Sequence, residues 1–419
     1  MPLTTSPEAA LAEQLLPLST QEALVESNRC LFCYDAPCTH ACPTHIDIPR
    51  FIKKISTDNL TGSARTILES NLLGATCARV CPVQELCEGA CVLNAEHKPI
   101  MIGRLQRYAM DYAYGRGLLP FAPAAKLGKQ VAVVGAGPAG LSCAGELARR
   151  GYDVTIFEKS PLGGGLSTYG IIALREPVEA SLAEVEMIQR LGVTIETNRE
   201  IQDVVALLAD FAAVFLSVGL GTTPALRIEG EEQIVDGLAY IAQSKLDAHG
   251  MHIGRQVAVI GAGNTAIDCA TIAKRLGAER VTMVYRRTER DMSAYDHEYE
   301  FIKNEGVEFR FETQPVRVLP GGLECVRMQP GLIPVPGSEF TIAADQIVKA
   351  IGQEPPGLAV RLGLAMQRGK ICVNDAFETS IAGVYAGGDC IRSKGAASTV
   401  MGVQDGKMAA QAIHRRLSN

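Results

Sequence analysis

Apolar residues recur along this chain at two different periods, and the change of period divides it. In DIPRFIKKISTDNLTGSARTILESNLLG, Ile48, Phe51, Ile52 and Ile55 fall three and four apart, the spacing of one helix face. Ile67, Leu68, Leu72 and Leu73 repeat that spacing after a break at Asn59–Gly62. The pattern predicts a small helical domain over residues 1–125, held together by something besides its own core. GRGLLPFAPAAKLGK reads as a linker. From Gln130 onward the apolar residues come in short continuous runs. VAVVGAGPAGLSCAGELARRGYDVTIFEK predicts a buried strand, a glycine turn, a helix and a second strand closing on Glu158. The same signature returns from Val257 as VAVIGAGNTAIDCATIAKRLGAERVTMVYRR. Strands alternating with helices predict parallel sheets. The tail GVYAGGDCIRSKGAASTVMGVQDGKMAAQAIHRRL predicts a strand, a loop and a helix starting near Ser398. The expected fold class is α/β: an all-helical N-terminal domain, then two Rossmann-like nucleotide-binding domains, the second inserted in the first. The expected boundaries are 126–230 and 347–419 for the first nucleotide domain and 231–346 for the second.

Composition narrows the function. A chain of 419 residues is too long for one compact core, and 47% hydrophobic with 21% charged residues is ordinary for a soluble globular protein. No apolar run approaches the length of a membrane span without glycines or charges. The start, MPLTTSPEAALAEQLLPLST, has no basic region before an apolar stretch, so a secretory leader is not expected and a cytoplasmic location is. A formal charge of -6 argues against nucleic acid as the main partner.

The glycine turns carry the first chemistry. Gly135, Gly137 and Gly140 form G-x-G-x-x-G directly after a strand, with Pro138 and Ala139 inside the motif. The glycines allow a tight turn, close backbone approach to a pyrophosphate, and close packing of helix on strand. The helix N-terminus adds partial positive charge toward the phosphates. Glu158, 23 residues after Gly135, stands where a carboxylate accepts hydrogen bonds from ribose hydroxyls. GGGLSTYGI adds Gly164, Gly165 and Leu166 near the same crevice. The tail supplies Gly388 and Asp389, then Val403 and Gln404 near a helix N-terminus whose dipole favours negative charge on a reduced isoalloxazine. These residues together point to FAD. The second unit has Gly261 and Gly263, then Asn264 and Thr265, with Ala266 in the third glycine place. Its strand ends in Arg286 and Arg287 where an acid is usual. Guanidinium groups pair with a 2′-phosphate, which leans toward NADPH. A solvated strand end with NADH as the hydride donor stays open. No side-chain acid or base is required, because the cofactors carry the chemistry.

Eight of the 13 cysteines fall between Cys30 and Cys91. Cys30, Cys33, Cys38 and Cys42 run C-x2-C-x4-C-x3-C-P, close to the bacterial ferredoxin run. Cys77, Cys81, Cys87 and Cys91 run C-x3-C-x5-C-x3-C. Iron–sulfur clusters are expected, with structural zinc as the alternative. A flavin beside them fits, since a hydride delivers two electrons and clusters pass them singly. Cys143, Cys269, Cys325, Cys372 and Cys390 stand apart, with no C-x-x-C pair for a disulfide relay, and read as packing residues.

CLFCYDAPCTHACPTHIDIPRFI, NLLGATCARVCPVQELCEGAC and GRLQRY resemble the N-terminal cluster domain of dihydropyrimidine dehydrogenase. The two nucleotide units and the GVYAGGD tail extend that resemblance over nearly the whole chain. The glutamate synthase small subunit shares the architecture, but the chain looks most like the small, NAD(P)H-oxidising subunit of the bacterial two-subunit dihydropyrimidine dehydrogenase. The resemblance implies two [4Fe–4S] clusters with interleaved ligands: Cys30, Cys33, Cys38 and Cys91 for one, and Cys42, Cys81, Cys87 and Gln106 for the other. Cys77 is then spare, although spacing alone makes it the eighth ligand. The resemblance also implies electrons passing to a larger catalytic subunit that carries FMN and Fe–S groups and reduces uracil or thymine. Nothing in this chain reads as a pyrimidine site. The rivals are a glutamate synthase small subunit, a stand-alone NAD(P)H:acceptor oxidoreductase, and a non-catalytic, zinc-bearing assembly scaffold.

Overall fold

The computed structural model describes residues 6–96, 98–119, 121–122, 124–392 and 398–418. They fall into two compact units. The larger comprises Leu15–Thr168, Val178–Leu220 and Pro355–Asn419, and the smaller Met1–Gln14, Tyr169–Pro177 and Gly221–Glu354.

In the larger unit the cysteine segment is helical. The helix Ile48–Ser56 starts with a proline behind an Asp47 cap, and buries Ile48, Phe51, Ile52 and Ile55. The next helix, Leu60–Ser70, is capped by Asn59, whose Oδ1 accepts the Gly62 N–H at 2.9 Å. Gly62 therefore lies inside the first turn, and the expected break is confined to the residues before it. Gly74–Val80 and Ile102–Gly115 complete the layer around the cysteines. The helical domain has no separate core. Ile67, Leu72 and Leu73 belong to one continuous apolar cluster with Leu147, Ile188 and Val403 of the nucleotide fold.

That nucleotide fold is built on a parallel sheet in the order Val384–Ala386, Ala213–Leu216, Gln130–Val134, Asp153–Phe157, Thr194–Glu196. Its edge strand Val384–Ala386 comes from beyond the smaller unit, so the smaller unit is an insertion in the larger. The smaller unit has its own parallel sheet, ordered Val235–Asp236, Gln346–Lys349, Gln256–Ile260, Arg280–Val284, Glu308–Arg310. An antiparallel sheet that periodicity did not predict, centred on Gly322–Gln329, comes between the strands Glu308–Arg310 and Gln346–Lys349 in sequence.

The boundaries differ from those expected. Val348 of Gln346–Lys349 pairs with Val259 inside the smaller sheet, so the chain returns to the larger unit only at Pro355. The insertion begins at Gly221, ahead of residue 231. The helix Pro7–Ala10 does not join the helical domain. Leu11 is buried among Ile172, Leu174 and Ile241, and the Gln14 N–H donates to the Leu174 carbonyl at 3.0 Å. Burying Leu11 there ties the start of the chain to the smaller unit. Among the described residues no helix is long and apolar enough to cross a membrane.

Candidate functional site

The crevice of the larger unit forms where Gln130–Val134 turns into the helix Pro138–Ala148. Gly135 has a φ of +103°, and a Cβ there would lie 2.6 Å from the Ser217 carbonyl oxygen. Ser217 closes the turn by donating to the Gly135 carbonyl at 2.7 Å. A Cβ on Gly140 would lie 2.0 Å from the Gly135 oxygen, so helix and strand meet backbone to backbone. Gly137 is different. A Cβ there would meet only the Gly165 Cα, at 4.0 Å, which leaves room for an anion over the helix N-terminus. The Gly164 N–H donates to the Ala136 carbonyl at 2.8 Å and folds the 163–165 loop against this turn, with Leu166 exposed beyond it.

Glu158 is buried at the end of the neighbouring strand. Its two carboxylate oxygens accept the Ala136 and Ser160 N–H groups, each at 2.8 Å. Each oxygen keeps a further lone pair for a ribose hydroxyl. From the tail, Gly388 packs on Ala139 and its N–H donates to Asp405 Oδ2 at 3.0 Å. Burial raises the Asp389 carboxyl above its usual range, opposed by Lys370. The C-terminal helix Thr399–Ser418 crosses the glycine helix at small residues, and a Cβ on Gly406 would lie 2.1 Å from the Ala139 oxygen. The Val403 carbonyl accepts the Ser142 hydroxyl at 2.7 Å. Gln404 Oε1 is buried with no hydrogen-bond partner among the described residues, an acceptor open to a donor. The open Gly137 cradle, the Glu158 acceptors and the orphan Gln404 oxygen fit a flavin dinucleotide. Sequence reasoning missed Ser217 and Asp405, whose partners lie 82 and 17 residues away along the chain.

In the smaller unit Gly261 has a φ of +137°, and a Cβ on it would lie 2.2 Å from the Ala350 oxygen. Gly263 caps the helix Asn264–Arg275, and the fully buried Ala266 replaces a glycine without crowding. Thr265 is half-buried in the first turn. Asn264 Oδ1 accepts the Tyr295 N–H at 3.1 Å, so this side chain fixes a neighbouring loop. Arg286 and Arg287 follow the strand Arg280–Val284, are exposed, and form no ion pair among the described residues.

The cysteines gather in two groups that cut across the two sequence runs. Cys30, Cys33, Cys38 and Cys91 line one cavity whose other walls, including Leu31, Ile48, Ile52 and Ile100, are apolar. Burial raises the Cys38 thiol to about 11, with Cys30 and Cys91 adding to it. In the second group, burial and then Cys42 push up the Cys87 thiol. Cys81 is also pushed up, first by a hydrogen bond with Cys77, then by burial and by Cys87 and Cys42. Thiols that hinder one another's ionisation need a cationic centre to become ligands together, which is what an iron–sulfur core supplies. Among the described residues no three His, Cys, Asp or Glu side chains converge tightly enough for a single metal ion. A cubane spreads its four thiolates more widely. Gln106 is buried, with its Nε2 donating to the Gly74 carbonyl at 2.7 Å. Cys77 sits beside Cys81 and is also buried. The structure thus brings Cys77 into the second group, and ties Gln106 to the start of the helix Gly74–Val80, which carries Cys77. Cys143, Cys269, Cys325 and Cys390 are buried and Cys372 is half-buried, none in a disulfide.

Residues 8–118 match the family described as dihydropyrimidine dehydrogenase domain II, 4Fe-4S cluster, and residues 129–410 match pyridine nucleotide-disulphide oxidoreductase. The NAD-dependent dihydropyrimidine dehydrogenase subunit PreT of Escherichia coli (strain K12) is 35% identical, over 98% of each chain. This chain belongs to the dihydropyrimidine dehydrogenase subunit family. The glutamate synthase [NADPH] small chain of Escherichia coli (strain K12) is 34% identical over 95% of this chain and 92% of its own length, so the family reaches across both enzymes. Thioredoxin reductase of T. acidophilum has the fold of the nucleotide units. It is 20% identical, with a TM-score of 0.56, over 70% of this chain and all of its own. As a member of the dihydropyrimidine dehydrogenase subunit family, the chain is an NAD(P)H-dependent oxidoreductase that uses FAD and [4Fe–4S] chemistry. Its relatives are named as a subunit and a small chain.

Proposed function

We propose that this chain is the NAD(P)H-oxidising subunit of a cytoplasmic dihydropyrimidine dehydrogenase, working with a larger FMN- and Fe–S-bearing subunit that reduces uracil or thymine to the 5,6-dihydropyrimidine. When bound, NAD(P)H and FAD supply hydride transfer, and [4Fe–4S] groups supply single-electron transfer onward. The remaining work belongs to side chains and backbone. Gly135, Gly137, Pro138, Ala139 and Gly140 cradle the FAD pyrophosphate, and Glu158 orients the ribose. Gly164, Gly165, Leu166, Gly388, Asp389, Val403 and Gln404 surround the rest. Gly261, Gly263, Asn264, Thr265 and Ala266 hold the nicotinamide dinucleotide, with Arg286 and Arg287 facing its adenosine ribose. Cys30, Cys33, Cys38 and Cys91 hold one cluster, and Cys42, Cys81, Cys87 and Gln106 a second.

One observation carries this reading: Cys91, from the second run, lines the same cavity as Cys30, Cys33 and Cys38. Interleaved runs of this kind are those of two-cluster ferredoxins, whose last cysteine serves the neighbouring cluster, and among the described residues no three side chains converge tightly enough for a single zinc ion. The test is anaerobic purification with iron, sulfide and flavin analysis, then coexpression with candidate partners and assay of NADH- or NADPH-dependent uracil reduction. Two clusters and one FAD, with uracil reduced only in the complex, are expected. Glutamate synthesis in a complex with a large amidotransferase chain would instead favour the glutamate synthase reading.

A further inference from the structure

We propose that Lys407 is a positioning and potential-setting residue, joining the C-terminal helix to the loop after Cys42 and stabilising the reduced state of the cluster that Cys42 holds. The inference rests on the assignment of Cys42 as a cluster ligand.

Lys407 lies one helical turn beyond Val403 and Gln404 on the C-terminal helix. Its ammonium donates to two carbonyl oxygens of the cysteine domain, those of Thr44 at 2.8 Å and Ser70 at 2.9 Å. Ser70 is the last residue of the helix Leu60–Ser70, whose terminal carbonyls need outside donors. Thr44 is completely buried, and its hydroxyl lies 3.4 Å from Cys42 Sγ. A single cation therefore gathers a helix end and a cysteine loop that are 26 residues apart in sequence. Its acidic neighbour Glu146 is shared with two arginines. Glu146 is engaged by Arg149 at 3.1 Å and Arg150 at 2.7 Å, and among the described residues no carboxylate is within ion-pair distance of Lys407.

The charge has a consequence for redox. Accepting one electron makes a cluster more negative by one unit, with no bond made and no proton moved. A cation at this half-buried position favours that reduced state more than it would in bulk water. The cavity of Cys30, Cys33, Cys38 and Cys91 has apolar walls and no such cation among its lining residues. The two clusters should thus respond differently to loss of Lys407.

The experiment is an anaerobic, EPR-monitored redox titration of the full chain carrying its flavin and clusters, on wild type, Lys407→Met, Lys407→Gln and Lys407→Arg. The signal lost in Cys87→Ser identifies the cluster of interest. In the Met and Gln variants its midpoint should move negative, so that at a fixed potential its reduced-to-oxidised ratio falls about tenfold. The other cluster should stay put, and Arg should keep the wild-type value. Unchanged potentials in Met and Gln at wild-type iron and FAD content would overturn the inference, as would an Arg variant that shifts as far as Met. If Met fails to retain iron, the Gln variant, which keeps an amide donor, decides alone. Wild-type protein with no reducible cluster would overturn the ligand assignment first, and this inference with it.

Discussion

Thr76 donates its hydroxyl to Glu184 Oε2 at 2.5 Å, although 108 residues separate them in sequence. The other oxygen of Glu184 accepts the N–H groups of Ala75 at 2.7 Å and Thr76 at 3.1 Å. Helix Gly74–Val80 has no side-chain cap of its own, so this buried carboxylate from helix Val178–Arg190 supplies one. The capped helix carries Cys77 and leads into Cys81. Glu184→Ala leaves buried donors unpaired and should cost about 2–4 kcal/mol. Thermal unfolding together with iron content checks this, and a variant with wild-type values of both would contradict it. Glu184→Gln, which keeps one acceptor, should lose less.

Gly137 separates binding from folding. Its φ of -75° suits any residue, and a Cβ would touch nothing nearer than 4.0 Å. Gly137→Ala should therefore fold within about 0.5 kcal/mol of wild type yet hold FAD at least about tenfold more weakly. Flavin release on dilution measures the second effect. Gly140→Ala should damage folding itself, because its Cβ would lie 2.0 Å from a backbone oxygen.

Iron content distinguishes the cysteines. Cys91→Ser should remove the iron of one cluster, about half the total, and so should Cys87→Ser. Cys77→Ser should keep its iron if Gln106 is the fourth ligand, and Gln106→Ala should not. The reverse outcome would hand the ligand role to Cys77.

The choice of nicotinamide cofactor turns on Arg286 and Arg287. Alanine at either should raise the KM for NADPH about tenfold and leave that for NADH nearly unchanged, since only the former carries a phosphate for guanidinium to pair with. Equal effects on both cofactors would show that these arginines do not read the 2′ position.

In the smaller unit Glu231 accepts Lys349 Nζ at 2.7 Å and the N–H groups of Leu226 and Arg227 at 2.8 and 2.7 Å. The Lys349 bond, and then those backbone donors, hold its carboxyl down to about 2 from 4.5. A depressed acid stabilises the fold fully above its unfolded value and stops doing so as pH falls through its folded one. Glu231→Gln should thus cost about 1–2 kcal/mol near neutrality, with some of the full linkage discounted for solvent screening. The difference from wild type should close between about pH 4.5 and 2. Denaturant titrations across that range test it, and a gap independent of pH would rule the mechanism out.

Much of this protein was legible in its residues. Gly135, Gly137, Gly140 and Glu158 announce strand, turn, helix and strand because those conformations are set within a few residues of each other. The period of Ile48, Phe51, Ile52 and Ile55 is likewise local, and the structure buries that face. The domain limits were not legible in the same way. Val348 and Leu11 read as ordinary apolar residues, and only the neighbours that bury them show which unit each belongs to.

Sequence by itself determined the kinds of group this chain carries: two dinucleotide turns, eight crowded thiols and a helix-rich front end, because spacing along a chain dictates local backbone shape and donor type. Tertiary structure alone decided which groups meet. It set Cys91 beside Cys30, gave the helix at Gly74 its cap from Glu184, and bound Lys407 to the carbonyls of Thr44 and Ser70. These pairings span tens to hundreds of residues, and a hydrogen bond or a shared cavity depends on distance through space, which no local pattern records.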